Sequence, residues 1–273
     1  RIVSRISSQI QELDGVMVNM VSGIEHRSAI VLTFPEPVGK GGDDIQDTDP
    51  QAEGKSPAVP KGNNPEAGKV ASVIAKFVDR VADIIRDEEK ANYLLLRGIA
   101  VRPNLTTYQD AYGLKAACIA AYPMYRGVSR LVGMDVLEIG DNSIASEVET
   151  LKRDFDKYEF FYLHVKKTDS YGEDGNFDAK AGVIEEFDSI LPEILALKPD
   201  VLVITGDHWT PALMRSHSWH PVPVLISSQY ERGGCVESFG ESECLKGELG
   251  IFRSTDLMTL LLSHAGRLKK YGA

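Results

Sequence analysis

No apolar run in the sequence approaches the roughly 18–20 residues that span a bilayer, so a transmembrane protein is not expected. Cysteine is scarce. Cys118, Cys235 and Cys244 form an odd set without zinc-type spacing, and they read as reduced thiols of a cytosolic protein that serve as small buried apolar groups. Basic residues are in deficit: 30 Lys and Arg face 40 Asp and Glu, and the net charge of -10 disfavours non-specific binding to nucleic acid or to an anionic membrane surface. A few local Arg and Lys can still hold a phosphate, so a phosphorylated small molecule remains open as a substrate. Also lacking are an initiator Met and a charged-then-apolar leader; the chain starts at Arg1, which leads us to expect a fragment or the ordered part of something longer.

What is present is globular in composition: 273 residues, 43% apolar and 26% charged, enough for one large domain or two unequal ones. Val3, Ile6, Ile10 and Leu13 have helical spacing over 3–14, then Val16, Val18 and Met20 alternate like a strand, and Ala29–Phe34 follows as a second strand after the polar corner Glu25-His26-Arg27. Residues 35–68 are rich in Gly, Pro, Asp and Lys and predict a long irregular loop. An amphipathic helix carries Val70, Val73, Ile74, Phe77, Val78, Val81, Ile84 and Ile85 on one face, and Tyr93–Ile99 predicts a buried strand before a boundary at 103/104. Beyond it helices at about 113–131, 145–157 and 179–196 alternate with strands at Val136–Ile139, Phe160–Val165, Val201–Thr205 and Val222–Ile226, and a last helix runs from about Ser254 to the C-terminus. This order predicts a mostly parallel sheet sandwiched by helices, with its chemistry at the carboxyl ends of the strands.

Two strands run into metal-type residues. Phe160–Val165 leads to Asp169-Ser170-Tyr171-Gly172-Glu173-Asp174-Gly175, and Val201–Thr205 leads to Gly206-Asp207-His208-Trp209-Thr210-Pro211. Ser216-His217-Ser218-Trp219-His220 precedes the next strand. Each cluster alone is more often a turn or a surface histidine. Their conjunction on one rim of a sheet points to carboxylate–imidazole sites for manganese, zinc or magnesium, and adjacent Asp207 and His208 can face two ions.

These residues resemble a known family. Leu163-His164-Val165-Lys166-Lys167-Thr168-Asp169 through Asp174-Gly175, Thr205-Gly206-Asp207-His208 and His217-Ser218-Trp219-His220-Pro221-Val222-Pro223 are similar to the cofactor-independent phosphoglycerate mutases, in their archaeal-type branch within the alkaline phosphatase superfamily. The resemblance continues in His26-Arg27, Asp47-Thr48-Asp49-Pro50, Leu95-Leu96-Arg97-Gly98, Tyr112-Gly113-Leu114-Lys115 and Ser254-Thr255-Asp256-Leu257-Met258, and so covers essentially the whole chain. It implies a cytoplasmic enzyme of glycolysis that interconverts 2- and 3-phosphoglycerate through a phosphoserine, with two divalent ions, commonly manganese, with magnesium, zinc or cobalt as alternatives. It implies an alkaline-phosphatase-like α/β domain at 104–273, and at 1–103 most of a smaller α+β inserted substrate domain. By motif, Asp169, Glu173 and His217 would hold one ion, and Asp207 and His208 would help hold the other. His26, Arg27, Asp47, Asp49 and Arg97 would grip the phosphoglycerate. Lys115, opening the first helix of the catalytic domain, would neutralise the phosphoserine.

Two departures follow from the same comparison of motifs. Glu173 stands where the broader family has His, which alters the site without removing a ligand. The family's first Asp ligand and nucleophilic Ser have no match, and Ser4, Ser7 and Ser8 lie in the helical opening segment; the expectation is a mutase lacking its first strand–nucleophile unit, inactive as this chain alone. Bare sheet edges would then favour self-association into a homo-oligomer. The rival functions are another metal-dependent phosphatase or phosphotransferase of the superfamily, and a non-catalytic remnant that binds phosphometabolites.

Overall fold

The computed structural model describes residues 1–23, 26–231 and 236–268; Glu25 of the polar corner, Cys235 and the last residues of the expected C-terminal helix lie outside them. The chain divides into two compact units, Arg1–Asn104 and Leu105–Ala273.

In the first unit, residues 3–14 do not form one helix. Helix α1 (Ile2–Ser7) stops early and Glu12–Leu13 is strand β1. The cause is Asp14-Gly15, both at positive φ (52° and 79°), which make the two-residue hairpin turn that pairs Leu13 with Val16. Strand β2 (Val16–Ser22) then pairs antiparallel with β3 (Ser28–Thr33), from Met17 opposite Thr33 to Ser22 opposite Ser28. Helix α2 (Pro65–Ile85) begins where the Asn64 side chain accepts from the Ala67 N–H at 2.9 Å and Pro65 occupies its first position. Its apolar face buries Phe77 and Val81 against Ile6, Ile10 and Met20.

The irregular segment before α2 is well anchored. Asn64 donates to the Gly41 carbonyl at 2.8 Å, and Thr48, wholly buried, exchanges backbone and side-chain hydrogen bonds with Leu96. Those bonds also explain a corrected expectation: Tyr93–Ile99 forms no strand. Leu94, Leu96 and Ile99 pack inward while Tyr93 and Leu95 stay exposed, so the alternation is that of a strand, but Thr48 and Asp47 take its N–H groups in place of a ladder.

The second unit opens with α3 (Tyr108–Tyr112), capped by Thr107 and ended by Gly113 in the left-handed region. The expected helix over 113–131 is corrected: Ala116–Ala120 is strand β4, and helix α4 covers only Pro123–Leu131. Alanine favours helices, but this run is short, bounded by Gly113 and Pro123, and buried on both faces like a central parallel strand. Strand β5 (Asp135–Val136), helix α5 (Ile144–Asp154) and strand β6 (Phe160–His164) follow, and the strands align parallel in the order β5-β4-β6. Helices α6 (Lys167–Glu173) and α7 (Phe177–Ala196) come next. Strand β7 (Val201–Thr205) pairs antiparallel with β8 (Val224–Ser228), because residues 206–223 contain no helix to carry a parallel crossover. Helix α8 (Glu241–Cys244) and helix α9 (Leu257–His264), the latter entered by a 3-10 turn at Ser254–Asp256, close the unit. Val183 and Ile194 of α7 and Val148 and Leu151 of α5 pack with Ile119 of β4. Among the described residues no helix is long and apolar enough to cross a membrane.

Glu147, in the first turn of α5, is 3% exposed. Burial pushes its pKa from 4.5 up to about 7, although the Ala121 N–H and Lys167 work in the other direction. The folded chain therefore holds this proton more tightly than the unfolded chain does. The stability it contributes is complete below pH 4.5 and is lost as the pH rises through about 7. Glu147→Gln keeps the acceptor and removes the charge; urea unfolding should find it close to wild type at acid pH and about 3 kcal/mol more stable at pH 8.

Candidate metal centre

The carboxyl end of β6 passes directly into α6, so Asp169 and Glu173 are four residues apart on one helical face instead of in the loop the sequence suggested. Gly172 lies between them, against the chain that follows β7. A β-carbon there would meet the Thr210 carbonyl oxygen at 2.2 Å, so only glycine admits this approach. Gly175, at φ 73°, ends the turn beside the Arg215 side chain.

Residues 207–220 supply the imidazoles from a stapled hairpin. Trp209 pairs antiparallel with Ser218, the Ser218 N–H donates to the Trp209 carbonyl at 3.0 Å, and the Trp209 indole N–H donates to the Pro221 carbonyl at 2.7 Å. The His208 and His217 rings lie 3.9 Å apart, centroid to centroid.

The five residues proposed as ligands on motif are brought together. His217 Nε2 is 3.6 Å from Asp169 Oδ1 and 3.8 Å from Glu173 Oε1. His208 Nε2 is 3.9 Å from Asp169 Oδ1 and 3.6 Å from Asp207 Oδ2. One ligand atom each from Asp169, His208 and His217 falls within 4.8 Å of the others, which suits a single ion with positions left open. That triad draws on both of the sets expected from the sequence, with His208 between Asp169 and Asp207.

Four side chains given no role in the sequence reading hold the cluster: Thr210, Lys166, Lys180 and Tyr125. The buried Thr210 hydroxyl donates to Asp169 Oδ1 at 2.5 Å and meets His208 Nδ1 at 3.1 Å. Lys166 is in contact with Asp169 Oδ2. Lys180 of α7 donates to the Thr210 carbonyl at 2.7 Å, and its burial lowers its pKa. Burial alone would raise the pKa of Asp169, but Lys166 and Thr210 outweigh it and hold the carboxyl below its ordinary value. Asp207 is also lowered: against its burial, the Tyr125 phenol, donating to Oδ2 at 2.5 Å, and His208 favour the carboxylate. Lys166 carried a readable signal, three residues before Asp169 on a turn; Thr210 and Tyr125 did not, since their roles depend on tertiary approach.

Lys115 stands elsewhere. It does not open a helix but precedes β4, where its N–H donates to Glu159 and its ammonium lies 4.6 Å from the Tyr158 ring centre. That is the amino edge of the parallel sheet, one strand length from the ligands, so it does not join the cluster.

The five substrate-grip candidates belong to the first unit. Asp47 accepts from the Gly98 N–H at 2.9 Å, Asp49 accepts from the Gln51 N–H at 2.8 Å, and Arg97 reaches Asp49 at 3.9 Å and Gln51 at 3.2 Å. His26 and Arg27 are exposed in the turn between β2 and β3.

A family model described as the metalloenzyme superfamily matches residues 43–264. Proteins named probable 2,3-bisphosphoglycerate-independent phosphoglycerate mutase align with the whole chain: that of Aquifex aeolicus at 55% identity, that of a Thermotoga species at 46% and that of Deinococcus radiodurans at 45%. The chain spans 67% of the length of each of these relatives. Among solved structures, a Pyrococcus horikoshii protein is 33% identical, with a TM-score of 0.71 over 77% of this chain and 60% of its own. A cofactor-independent phosphoglycerate mutase of Thermoplasma acidophilum, 24% identical, has a TM-score of 0.70 over 97% of this chain and 69% of its own, which shows a shared fold.

Gly172→Ala tests the approach of α6 to the hairpin. The added methyl group must displace the Thr210 backbone, and urea unfolding should show a loss of about 1–3 kcal/mol together with weakened manganese binding. Stability and binding equal to wild type would mean that the two segments are not held in contact.

Proposed function

Because the chain belongs to the metalloenzyme superfamily and to the 2,3-bisphosphoglycerate-independent phosphoglycerate mutases, we propose that it carries the metal-binding and substrate-binding parts of an enzyme interconverting 2- and 3-phosphoglycerate through a phosphoserine. The observation that carries the metal part of this reading is the convergence of Asp169, His208 and His217. The donor set fits: one carboxylate held ionised, with two imidazoles, suits manganese and its neighbours. Asp169, Glu173 and His217 would hold one divalent ion, and Asp207 and His208 would contribute to a second. When bound, the ions supply positive charge against the phosphoryl oxygens and the serine oxygen.

The chain's own groups prepare this chemistry. Lys166 and Thr210 keep Asp169 anionic and oriented, and the Thr210 hydroxyl bridges Asp169 and His208. Thr210 itself is a poor candidate for the nucleophile, since its hydroxyl is buried and already donates to Asp169. Since no stretch of the chain resembles the family's nucleophile motif, we assign the nucleophilic serine to a position outside residues 1–273. For substrate, Arg27 and Arg97 offer the planar fork that binds phosphate or carboxylate in bidentate fashion, with His26, Asp47 and Asp49 as partners for the remaining groups. Asp49 already lies beside the Arg97 guanidinium.

The test is a manganese-dependent assay of phosphoglycerate isomerisation run beside one for free phosphate. It uses the 273-residue chain and, separately, a version extended to the relatives' length. The extended protein should isomerise without releasing phosphate and should stop when chelator is added or when His217→Ala is introduced. Release of free phosphate in place of isomerisation would assign the chain to a phosphatase, and turnover by the 273-residue chain would return the nucleophile to one of its own hydroxyls. In the extended protein Arg97→Ala should lower kcat/KM at least about a hundredfold, roughly 3 kcal/mol of transition-state binding; unchanged kinetics would sink the substrate role of Arg97.

A further inference from the structure

We infer that Tyr125 is a positioning residue for the second ion, fixing the Asp207 carboxylate through its phenol while the His164 imidazole holds the phenol ring in place. The inference rests on the reading of Asp207 as a metal ligand.

The placement follows from the sheet. β4 and β6 are parallel with Ala120 opposite His164, so both strands end at the same height. Pro123 turns the chain after β4 into α4, and the first turn of that helix brings Tyr125 over the end of β6. There its ring stacks on His164, with 3.7 Å between centroids and 29° between planes. The His164 ring meets Tyr125 by its face, and its buried Nδ1 has no hydrogen-bond partner among the described residues. That imidazole serves as a flat surface. A ring clamped this way has lost its rotational freedom before the phenol meets its acceptor, so the hydrogen bond costs little further ordering.

Tyr125 Oη donates to Asp207 Oδ2 at 2.5 Å, and the His208 N–H donates to Asp207 Oδ1 at 3.1 Å. Each carboxylate oxygen is thereby held by one donor. Each oxygen has two lone-pair sites, so one on each remains for a cation. Partners of this kind fix the direction of a ligand and typically carry 10–100-fold in metal affinity. The Tyr162 ring, 6.4 Å from that of Tyr125, and the Tyr122 ring at 6.1 Å add to the packing; α4 leaves Met124, Val128 and Leu131 exposed, while the Tyr125 phenol turns to Asp207.

The experiment measures manganese binding to the protein extended to the relatives' length, by calorimetry and by loss of the free ion's EPR signal. It compares wild type, Tyr125→Phe, Tyr125→Leu and Asp207→Asn. Tyr125→Phe keeps the stack and removes only the hydroxyl. It should weaken the weaker manganese-binding step at least tenfold and leave the tighter step and the thermal unfolding of the metal-free protein as in wild type. Tyr125→Leu should weaken that step further and also lower the unfolding temperature. If Asp207→Asn weakens binding and Tyr125→Phe matches wild type, the positioning role is overturned while the metal reading stands. If Asp207→Asn leaves binding unchanged, the assignment of Asp207 as a ligand fails and this inference fails with it.

Discussion

Strand β4 has no exposed face, and the second unit is organised around covering it. All five residues from Ala116 to Ala120 are buried. Both edges of the strand must be paired and both faces covered, or its backbone polar groups and apolar surface would lie bare. The pairing is parallel on each side, so the chain must cross over twice, through α4 to β5 and through α5 to β6. All three strands then point the same way. That common direction brings the start of α4 and the start of α6 to one edge, where Tyr125 and Asp169 do their work.

At that edge the governing problem is electrostatic. Asp169, Glu173 and Asp207 carry like charges around a small volume, and the two aspartates are partly withdrawn from water, a cost to the charged form in each case. The chain answers with donors chosen one by one: Lys166 and Thr210 on Asp169, Tyr125 and the His208 backbone on Asp207. The carboxylates are thus kept ionised without being neutralised to the point where a cation has nothing to gain. Gly172 has a role in the same arrangement, because without its bare α-carbon Thr210 could not lie close enough to α6 to reach Asp169.

Much of this could be read from residue types and spacing. The amphipathic period of α2, the apolar strands β6 and β7, and the metal-type residues after each of them were legible because hydrophobic period and chemical type are local properties. β4 was not, since Ala-Ala-Cys-Ile-Ala satisfies a helix as well as a strand, and only burial on both faces decides between them. Tyr93–Ile99 failed for the opposite reason: its alternation is real, but Thr48, nearly fifty residues away, takes the hydrogen bonds that a neighbouring strand would have supplied. Lys115 took its role from the resemblance, but the helix it was expected to open is strand β4, and the residue stands just before that strand. The supports Thr210 and Tyr125 left no periodic trace, because a single hydroxyl is given its meaning by what the fold brings opposite.

The hairpin between β7 and β8 imposes a rule on gene length. Trp209 opposite Ser218 sets a register in which His208, Thr210 and His217 all fall on one face. A single codon gained or lost between His208 and Thr210, or between His217 and Pro221, would turn at least one of those side chains away. The tip between them is free of that restriction: Leu213 there is 97% exposed, and residues added around it would lengthen the loop without shifting its legs. Insertions among related genes should therefore gather at this tip, while the legs keep their length even where their residues change.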